Sequence, residues 1–296
     1  MQTEKTVYAL GFFDGVHLGH QALLTACRNL AAQHGCRTGV VTFSSHPDTL
    51  VSGNTPPLIN TPADRKQLLR GFGMDTVVEL PFDETLMKTH WSDFLTQLIA
   101  YDGAAGFVCG EDFRFGAKGS GTAQKLADFC SARQLPHCIV PEQFLDGIRV
   151  SSTYIRALLE QGDVATANRF LGHPYLLSGE VIPGRGLGRT IGVPTANVQL
   201  QPGALVPRLG VYATVAALEG RQYPAVTNIG FRPTVGGHHM TVESWLLDYA
   251  GDLYGKTLTL AFHDFLRPEQ KFDSLDDLKA EIEKNAAQTR KIFKKP

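Results

Sequence analysis

The first half of the chain alternates short apolar runs with amphipathic stretches. The apolar runs predict strands at residues 7–10, 40–43, 76–80, 107–109 and 138–140. The amphipathic stretches predict helices at residues 21–34, 61–71, 94–100 and 123–133. Strands that alternate with helices are typical of a parallel sheet covered by helices, whose ligand sites lie at the carboxyl ends of the strands. We therefore predict an α/β domain.

Beyond Gly172 the pattern changes to β-rich segments without helices between them. These segments are residues 177–182, 211–218, 225–229, 241–248 and 257–262. Glu219, Gly220 and Arg221 fit a hairpin turn between the second and third segments. Short strands at this spacing predict a small antiparallel barrel or sandwich. We place the domain boundary near residue 173, which gives domains 1–173 and 174–296.

A helix is predicted to close the chain. Ser274 and Asp277 have the spacing of a capping box. Acidic residues dominate the first turns of this helix and Lys and Arg its end, as the helix dipole favours. We expect Leu275, Leu278 and Ile282 to face inward.

Composition narrows the function classes. The 296 residues carry a formal net charge of −1, with 43% hydrophobic and 19% charged residues. This balance indicates a globular protein and argues against a dedicated nucleic-acid binder. No apolar run is long enough to cross a bilayer, and the first residues lack the features of a secretory signal. The five cysteines contain no CxxC pair, so we expect a cytoplasmic protein without disulfides or zinc; self-association stays open.

The segment Gly11-Phe12-Phe13-Asp14-Gly15-Val16-His17-Leu18-Gly19-His20 joins the first predicted strand to the first helix. Its glycines let backbone approach a ligand closely, and a helix N-terminus favours phosphate. His17 and His20, three residues apart, can reach one anionic group and stabilise charge that develops on a phosphate under attack. The alternative is a pair of ordinary loop histidines. Their pairing in a glycine-rich turn favours the functional interpretation.

Two further segments have weaker signals. Ser151 and Ser152 open a predicted helix, where hydroxyl side chains most often serve as N-caps. Arg156, one turn later, has the charge to bind the phosphates of a nucleotide. Residues 110–116 follow a strand end, where ligands collect, but this stretch alone is weak evidence for a site.

A glycine-rich segment, residues 184–197, joins two predicted β segments. It matches neither GxxxxGK[ST] nor GxGxxG, so neither a P-loop nor a dinucleotide-binding turn is predicted. Four glycines with Arg185 and Arg189 suit a loop that wraps phosphates, and a flexible barrel turn is an equal alternative. Thr195 and Asn197 offer neutral oxygens of the kind that suits Mg²⁺.

Glu243 is the candidate catalytic base of the second half. It lies in a predicted strand with apolar neighbours, where an unpaired carboxylate is costly. As a general base it could accept the proton of an alcohol that attacks a γ-phosphate. The alternative is a strand carboxylate that faces water.

Together, the HxGH turn, residues 110–116 and the SSTxxR segment resemble the nucleotidyltransferase module of the prokaryotic bifunctional riboflavin kinase/FAD synthetase family. The GRGLGR…PTAN stretch, the segment 228–234 and Glu243 resemble the riboflavin kinase barrel of the same family. The resemblance implies a Rossmann-like parallel sheet followed by an antiparallel β-barrel with a terminal helix. HxGH alone is shared with other nucleotidyltransferases, so it indicates the reaction better than the acceptor.

The resemblance also implies roles for single residues. His17, His20, Arg156 and Glu243 would be catalytic, and Thr195 and Asn197 would serve Mg²⁺ and ATP. Asp112, Asn228 and Arg290 would contact flavin. ATP and its phosphates would be bound by Gly11, Phe12, Asp14, Gly19, Ser152, Thr153, Gly184, Arg185, Gly188 and Arg189.

The implied function is synthesis of flavin cofactors from small molecules, with no nucleic acid or membrane as partner. Riboflavin and ATP would give FMN in the barrel, and FMN and ATP would give FAD and pyrophosphate in the first domain. One alternative is a kinase whose first domain adenylylates another acceptor. The other is a flavin- or nucleotide-binding regulator without catalysis.

Overall fold

The protein forms two compact units in the computed structural model, which describes residues 4–53, 55–184, 187–234 and 237–293. The first unit consists of the residues up to Pro57 together with Arg65–Ser152. The second consists of Leu58–Asp64 and the residues from Thr153 onward. None of the described helices contains an apolar stretch long enough to cross a membrane.

The first half of the chain has the predicted alternation of strands and helices. In chain order its elements are β1 (Thr6–Leu10), α1 (Leu18–His34), β2 (Arg37–Phe43), α2 (Asp48–Val51), α3 (Pro62–Gly71), β3 (Thr76–Leu80), α4 (Glu84–Lys88), α5 (Trp91–Asp102), β4 (Ala104–Gly110), β5 (Arg114–Phe115), a 3₁₀ turn (Ala117–Gly119), β6 (Gly121–Thr122), α6 (Ala123–Ala132), β7 (His137–Val140), β8 (Phe144–Leu145) and β9 (Ile148–Arg149). Five of these strands form one parallel sheet in the order β3-β2-β1-β4-β7.

Hydrophobic cores cover both faces of this sheet. Along β1, Tyr8 and Leu10 belong to the core that α5 and α6 complete, whereas Val7 and Ala9 belong to the core that α1 completes. All five residues of β1 are buried, as expected of a central parallel strand. The prediction of a helix-covered parallel sheet is therefore confirmed.

Local hydrogen bonds explain where the helices begin and end. Gly35 ends α1 in the left-handed conformation, with φ 62°, which glycine adopts without strain. At the start of α3, the Asp64 amide donates to Thr61 Oγ1 at 3.1 Å, and that hydroxyl donates to Asp64 Oδ2 at 2.8 Å. These two hydrogen bonds form a capping box, and Pro62 occupies the first helical position.

The second half forms a closed antiparallel barrel preceded by two helices. Its elements are α7 (Ser152–Gln161), α8 (Val164–Leu171), β10 (Tyr175–Ile182), α9 (Leu187–Thr190), β11 (Ala196–Leu200), β12 (Gly210–Leu218), β13 (Arg221–Thr234), β14 (Gly237–Leu246), β15 (Thr257–Arg267) and α10 (Leu275–Phe293). The strands close in the order β10-β11-β14-β13-β12-β15. Glu219 and Gly220 both have positive φ, 49° and 78°, and form the predicted hairpin turn between β12 and β13.

Two elements lie where the sequence indicated only a loop. β11 has the burial alternation of a half-buried strand, with Ala196 and Val198 buried. Its other face carries Asn197 and Gln199, so the five residues of β11 alternate between apolar and polar, a strand signal that the sequence-based prediction missed. The short helix α9 lies within the glycine-rich segment.

The terminal helix begins as predicted, because Ser274 Oγ accepts from the Asp277 amide at 3.1 Å and donates to Asp277 Oδ2. The prediction that Leu275 faces inward is wrong, since its side chain is 50% exposed. Leu275 is the first residue of α10, and helical side chains tilt toward the N-terminus of their helix. The buried residues of α10 all lie in its second half, so the Leu275 side chain points away from the packed part of the helix.

Within the second unit, α8 is hydrogen-bonded to the barrel. Asn168 Nδ2 donates to the Phe262 carbonyl at 2.8 Å, and the Tyr175 amide donates to Asn168 Oδ1 at 2.7 Å. The first compact unit ends at Ser152, and the second continues from Thr153. The boundary at residue 173 stays a prediction about which parts of the chain fold independently.

Candidate active sites

The turn between β1 and α1 has an unusual backbone. Phe13, Gly15 and Val16 have positive φ, 59°, 87° and 41°. This conformation is rare for phenylalanine and valine, and costs of order 1–3 kcal/mol per residue, so it persists only where the surroundings enforce it.

Three side chains of the first unit donate hydrogen bonds to backbone carbonyls of this turn. Thr42 Oγ1 donates to Phe12 at 2.8 Å, Ser152 Oγ to Asp14 at 2.8 Å, and Gln21 Nε2 to Val16 at 2.9 Å.

His17 and His20 are adjacent, as the turn predicts. Their rings stack with centroids 3.7 Å apart and an interplanar angle of 14°. His17 is the N-cap of α1, since its Nδ1 accepts from the His20 amide at 3.3 Å. Gly19 makes room for this arrangement, because a Cβ at residue 19 would lie 3.1 Å from His17 Cε1.

The surroundings favour a neutral His20. Burial, the neighbouring His17 and the Arg65 guanidinium together hold the pKa of His20 well below its usual value of 6.5. In a neutral His17 whose Nδ1 accepts a hydrogen bond, the proton lies on Nε2, which is then a donor. A neutral imidazole still has one N–H, so a neutral His20 can donate one hydrogen bond to an anion.

Both histidines line a cavity of about 270 Å³ at the carboxyl end of the sheet. The N-terminus of α1 opens here, and its first turn contains no acidic residue, which suits a phosphate group. The cavity brings together seven of the predicted residues, namely Gly11, Phe12, His17, Gly19, His20, Asp112 and Ser152. Asp14 is buried and is not among the residues that line the cavity.

Charged side chains surround the rim of this cavity. Arg149 Nη2 contacts Asp112 Oδ2 and Glu142 Oε1, each at 2.5 Å. Glu111 Oε1 accepts from the Glu142 amide at 2.7 Å. Arg149 and Asp112 are exposed, so water screens this pair and a charged ligand can compete for either partner. Arg149 and Glu142 were not predicted as site residues.

Thr153 and Arg156 lie on α7 and belong to the second unit. Thr153 is exposed and Arg156 is half-buried. Their roles in binding ATP stay predictions.

In the barrel, strand register brings the candidate residues of the second site together. Glu243 on β14 pairs with Asn197 on β11 and with Asn228 on β13. Residues paired across antiparallel strands point to the same face, so these three side chains are neighbours. Thr195 Oγ1 donates to Glu243 Oε2 at 3.4 Å, and Glu243 is half-buried.

Two glycines of the predicted loop fit closely around these polar residues. A Cβ at Gly184 would lie 2.1 Å from Asn197 Nδ2, and a Cβ at Gly188 would lie 3.3 Å from Thr195 Oγ1. The same Cβ at Gly188 would lie 2.2 Å from the Val193 carbonyl oxygen. The absence of a side chain at both positions therefore lets this segment approach Thr195 and Asn197.

If the barrel phosphorylates riboflavin, as the resemblance implies, Gly184→Ala should lower that rate by at least tenfold, because the methyl group displaces the Asn197 amide. FAD formation from supplied FMN, which the resemblance assigns to the first half, should stay unchanged. The measurement is the initial rate of each reaction. Gly71→Ala is the control, since its methyl group would meet nothing within 4 Å. An unaltered kinase rate in Gly184→Ala would show that the position of Asn197 is unimportant.

Glu243, Thr195, Asn197 and Asn228 line a second cavity of about 380 Å³. Apolar residues form much of the remaining lining, namely Ile191, Val193, Val211, Val226, Trp245, Phe272, Leu278 and Ile282. A cavity with apolar walls and a few polar groups is typical of a site for a small organic ligand. The inward prediction for Leu278 and Ile282 is confirmed.

The polar side chains at the helix end of this cavity were not predicted. Arg267 Nε donates to Asn285 Oδ1 at 3.1 Å and lies 3.4 Å from Glu281 Oε1. Burial lowers the pKa of Arg267, and the charges of Glu281 and Glu269 oppose this effect. The predicted flavin contact Arg290 is not among the lining residues, and its Nη2 binds Asp248 Oδ1 at 2.8 Å.

Some predicted residues cannot be placed. Arg185 lies outside the described residues, and the side chain of Arg189 is also outside them. Their roles in binding phosphate stay predictions.

The chain has two structural units, and each of them has its own ligand cavity. A family model described as FAD synthetase matches residues 1–154, and one described as riboflavin kinase matches residues 171–293. The chain belongs to the bifunctional riboflavin kinase/FMN adenylyltransferase family.

Individual relatives agree with this family. The bifunctional riboflavin kinase/FMN adenylyltransferase of Listeria monocytogenes is 34% identical over 98% of this chain and 93% of its own length. The protein of the same description from Pseudomonas fluorescens is 38% identical, over 97% and 92%. A solved structure described as a macrolide-efflux protein from Streptococcus pneumoniae has a TM-score of 0.87 and 31% identity, and covers 97% of this chain and 94% of that one.

Proposed function

We propose that this chain makes FMN at the barrel cavity and FAD at the cavity beside the histidine pair. The chain is an enzyme of flavin cofactor biosynthesis, with riboflavin kinase and FMN adenylyltransferase activities. Its substrates are riboflavin, FMN and ATP, and FAD is its final product. The observation that carries the assignment of sites is that each unit has its own cavity lined by residues suited to one reaction.

In the barrel cavity, Glu243 is the proposed general base. Its carboxylate accepts the proton of the riboflavin hydroxyl as that oxygen attacks the γ-phosphate of ATP; the bond from the γ-phosphorus to the β–γ bridging oxygen breaks, and ADP leaves. The hydrogen bond from Thr195 Oγ1 holds the carboxylate in place at 3.4 Å. The apolar walls accommodate the flavin ring, and Asn228 and Asn285 offer polar groups to its edges.

Thr195 and Asn197 are the proposed residues for Mg²⁺. Their neutral side-chain oxygens are hard donors, and their place beside Glu243 in the cavity would suit a hard divalent cation. When bound, Mg²⁺ neutralises charge on the phosphates. The residues themselves fix the orientation of the ATP phosphates relative to Glu243.

In the first cavity, His17 and His20 are the proposed donors to the α-phosphate of ATP. A phosphate oxygen of FMN attacks this α-phosphate, and pyrophosphate leaves. Negative charge grows on the α-phosphate oxygens in the transition state, where the histidines and the backbone amides at the start of α1 can stabilise it. Ser152, Thr153 and Arg156 are the proposed contacts of the pyrophosphate, and Asp112 the proposed contact of FMN.

Incubation with riboflavin, ATP and Mg²⁺, followed by separation of the flavins, tests the proposal. FMN and FAD are the expected products. FMN alone would support a kinase whose first domain adenylylates another acceptor. Unchanged riboflavin would support a binding protein without catalysis.

We place the enzyme in the cytoplasm. All five cysteines are free, and burial raises the pKa of Cys27 and Cys130 to about 11 and that of Cys109 to about 12. Buried free thiols suit a reducing compartment. The net charge of −1 gives no general attraction to nucleic acid.

A further inference from the structure

Arg65 is a buried cation beside the turn of the first site, and it was not predicted as a site residue. It lies on α3 and is 1% exposed. Its Nη2 donates to the Phe43 carbonyl at 2.6 Å, at the end of β2, and lies 3.3 Å from Glu79 Oε1 on β3. Its Cζ lies 4.5 Å from the centroid of the Phe12 ring. Arg65 therefore contacts both the edge of the sheet and the turn.

Packing alone does not explain this residue. Arginine is almost never fully buried unless it is paired, and Nη1 of Arg65 is buried with no hydrogen-bond partner among the described residues. Burial lowers the pKa of Arg65, while the charges of the buried Asp14 in the turn and of Glu79 on β3 favour its charged form. The turn that Arg65 contacts is strained at Phe13 and Val16, and such strain needs rigid support.

We propose that Arg65 is a positioning residue for adenylyl transfer, whose guanidinium fixes Phe12 and the end of β2 and thereby holds the turn that presents His17 and His20. The proposal rests on the function proposed for this site. The planar guanidinium can pack on the Phe12 ring and donate to Phe43 and Glu79 at the same time. Arg65 is not among the residues that line the cavity, so it acts through the turn.

The charge of Arg65 also acts on His20. It is one of the three causes that lower the pKa of His20, after burial and His17. His17 and Arg65 face His20 from the turn and from α3. The other charged groups that line the cavity are Glu111, Asp112, Glu142 and Arg149. Loss of the Arg65 charge should therefore raise the pKa of His20 toward its usual value.

The test compares Arg65→Met, Arg65→Lys and the control Arg70→Met, which removes an exposed arginine from the same helix. We expect Arg65→Met to lower kcat for FAD formation at least tenfold, with a smaller change in the KM for ATP. The acidic limb of its pH–rate profile should move to higher pH. Arg65→Lys keeps the positive charge, so the acidic limb of its pH–rate profile should stay near that of the parent protein. Because lysine lacks the planar guanidinium, Arg65→Lys should still lower kcat severalfold. Riboflavin phosphorylation should persist in all variants, which reports an intact barrel, and circular dichroism reports the folding of the first unit.

Three results would overturn the proposal. The first is a kcat for FAD formation in Arg65→Met equal to that of the parent protein. The second is the same result in Arg65→Lys. The third is a lower kcat with the acidic limb unmoved in Arg65→Met, which would indicate a purely structural residue. If Arg65→Met fails to fold, as circular dichroism would show, the kcat and pH profile of Arg65→Lys decide. Absence of FAD from the parent protein would instead refute the proposed function, and with it the reaction that Arg65 is proposed to serve.

Discussion

Glu243→Gln is expected to abolish most riboflavin phosphorylation while FAD formation from supplied FMN continues. The amide cannot accept the proton of the attacking hydroxyl, and loss of a general base lowers rates by about 10²–10⁴-fold. Glutamine has nearly the shape of glutamate and keeps an oxygen that can accept from Thr195 Oγ1, so the cavity should stay intact. The measurement is kcat for each reaction, by separation of riboflavin, FMN and FAD.

The matched control is Glu269→Gln, which removes another carboxylate from the lining of the same cavity. If the negative charge of the cavity were the important property, both variants would lose kcat equally. If Glu243 is the base, Glu269→Gln should keep kcat within severalfold of the parent. Parent kcat in Glu243→Gln would remove Glu243 from the mechanism.

The fold was predictable where local interactions determine it. The capping box at Thr61 and Asp64 involves residues three apart, so the sequence alone reveals it. The strands of the first sheet are buried on both faces and appear as continuous apolar runs, of which β1 is the clearest. The strand pattern alone left barrel and sandwich open, because closure depends on the pairing of β10 with β15, which is distant in sequence. The resemblance implied the barrel, and this prediction is confirmed.

Residues that bear chemistry were predictable where they are close in sequence. His17 and His20 share one turn, and Thr195, which directly precedes β11, is two residues from Asn197 in that strand. Arg267, Glu281 and Asn285 were missed because only the packing of α10 on the barrel brings them together. Their signal in the sequence is ambiguous, since charged and amide residues at helical spacing usually face solvent.

Arg65 offered a weak sequence signal. It lies four residues before Leu69, which is fully buried, so both residues share one face of α3. An arginine on the buried face of a helix is unusual enough to suggest a specific role. The partners of that arginine could not be named, because Phe12, Phe43 and Glu79 come from three separate segments.

His17→Ala is expected to make the enzyme accumulate FMN, because adenylyl transfer loses a donor to the α-phosphate while the barrel keeps its activity. Removal of one such donor costs about 10²–10³-fold in kcat. The substitution also removes the N-cap of α1, which costs about 0.5–2 kcal/mol of stability, so a lower rate alone does not identify the donor.

His17→Asn separates the two effects. Asparagine is a favourable N-cap, and its Oδ1 can accept from the His20 amide as His17 Nδ1 does at 3.3 Å. It has no counterpart of Nε2, so nothing at this position reaches the phosphate. We expect His17→Asn to melt near the parent temperature and still to accumulate FMN. Recovery of FAD formation in His17→Asn would mean that His17 serves only to begin the helix, and an equal loss of both flavin products in His17→Ala would contradict two separate sites.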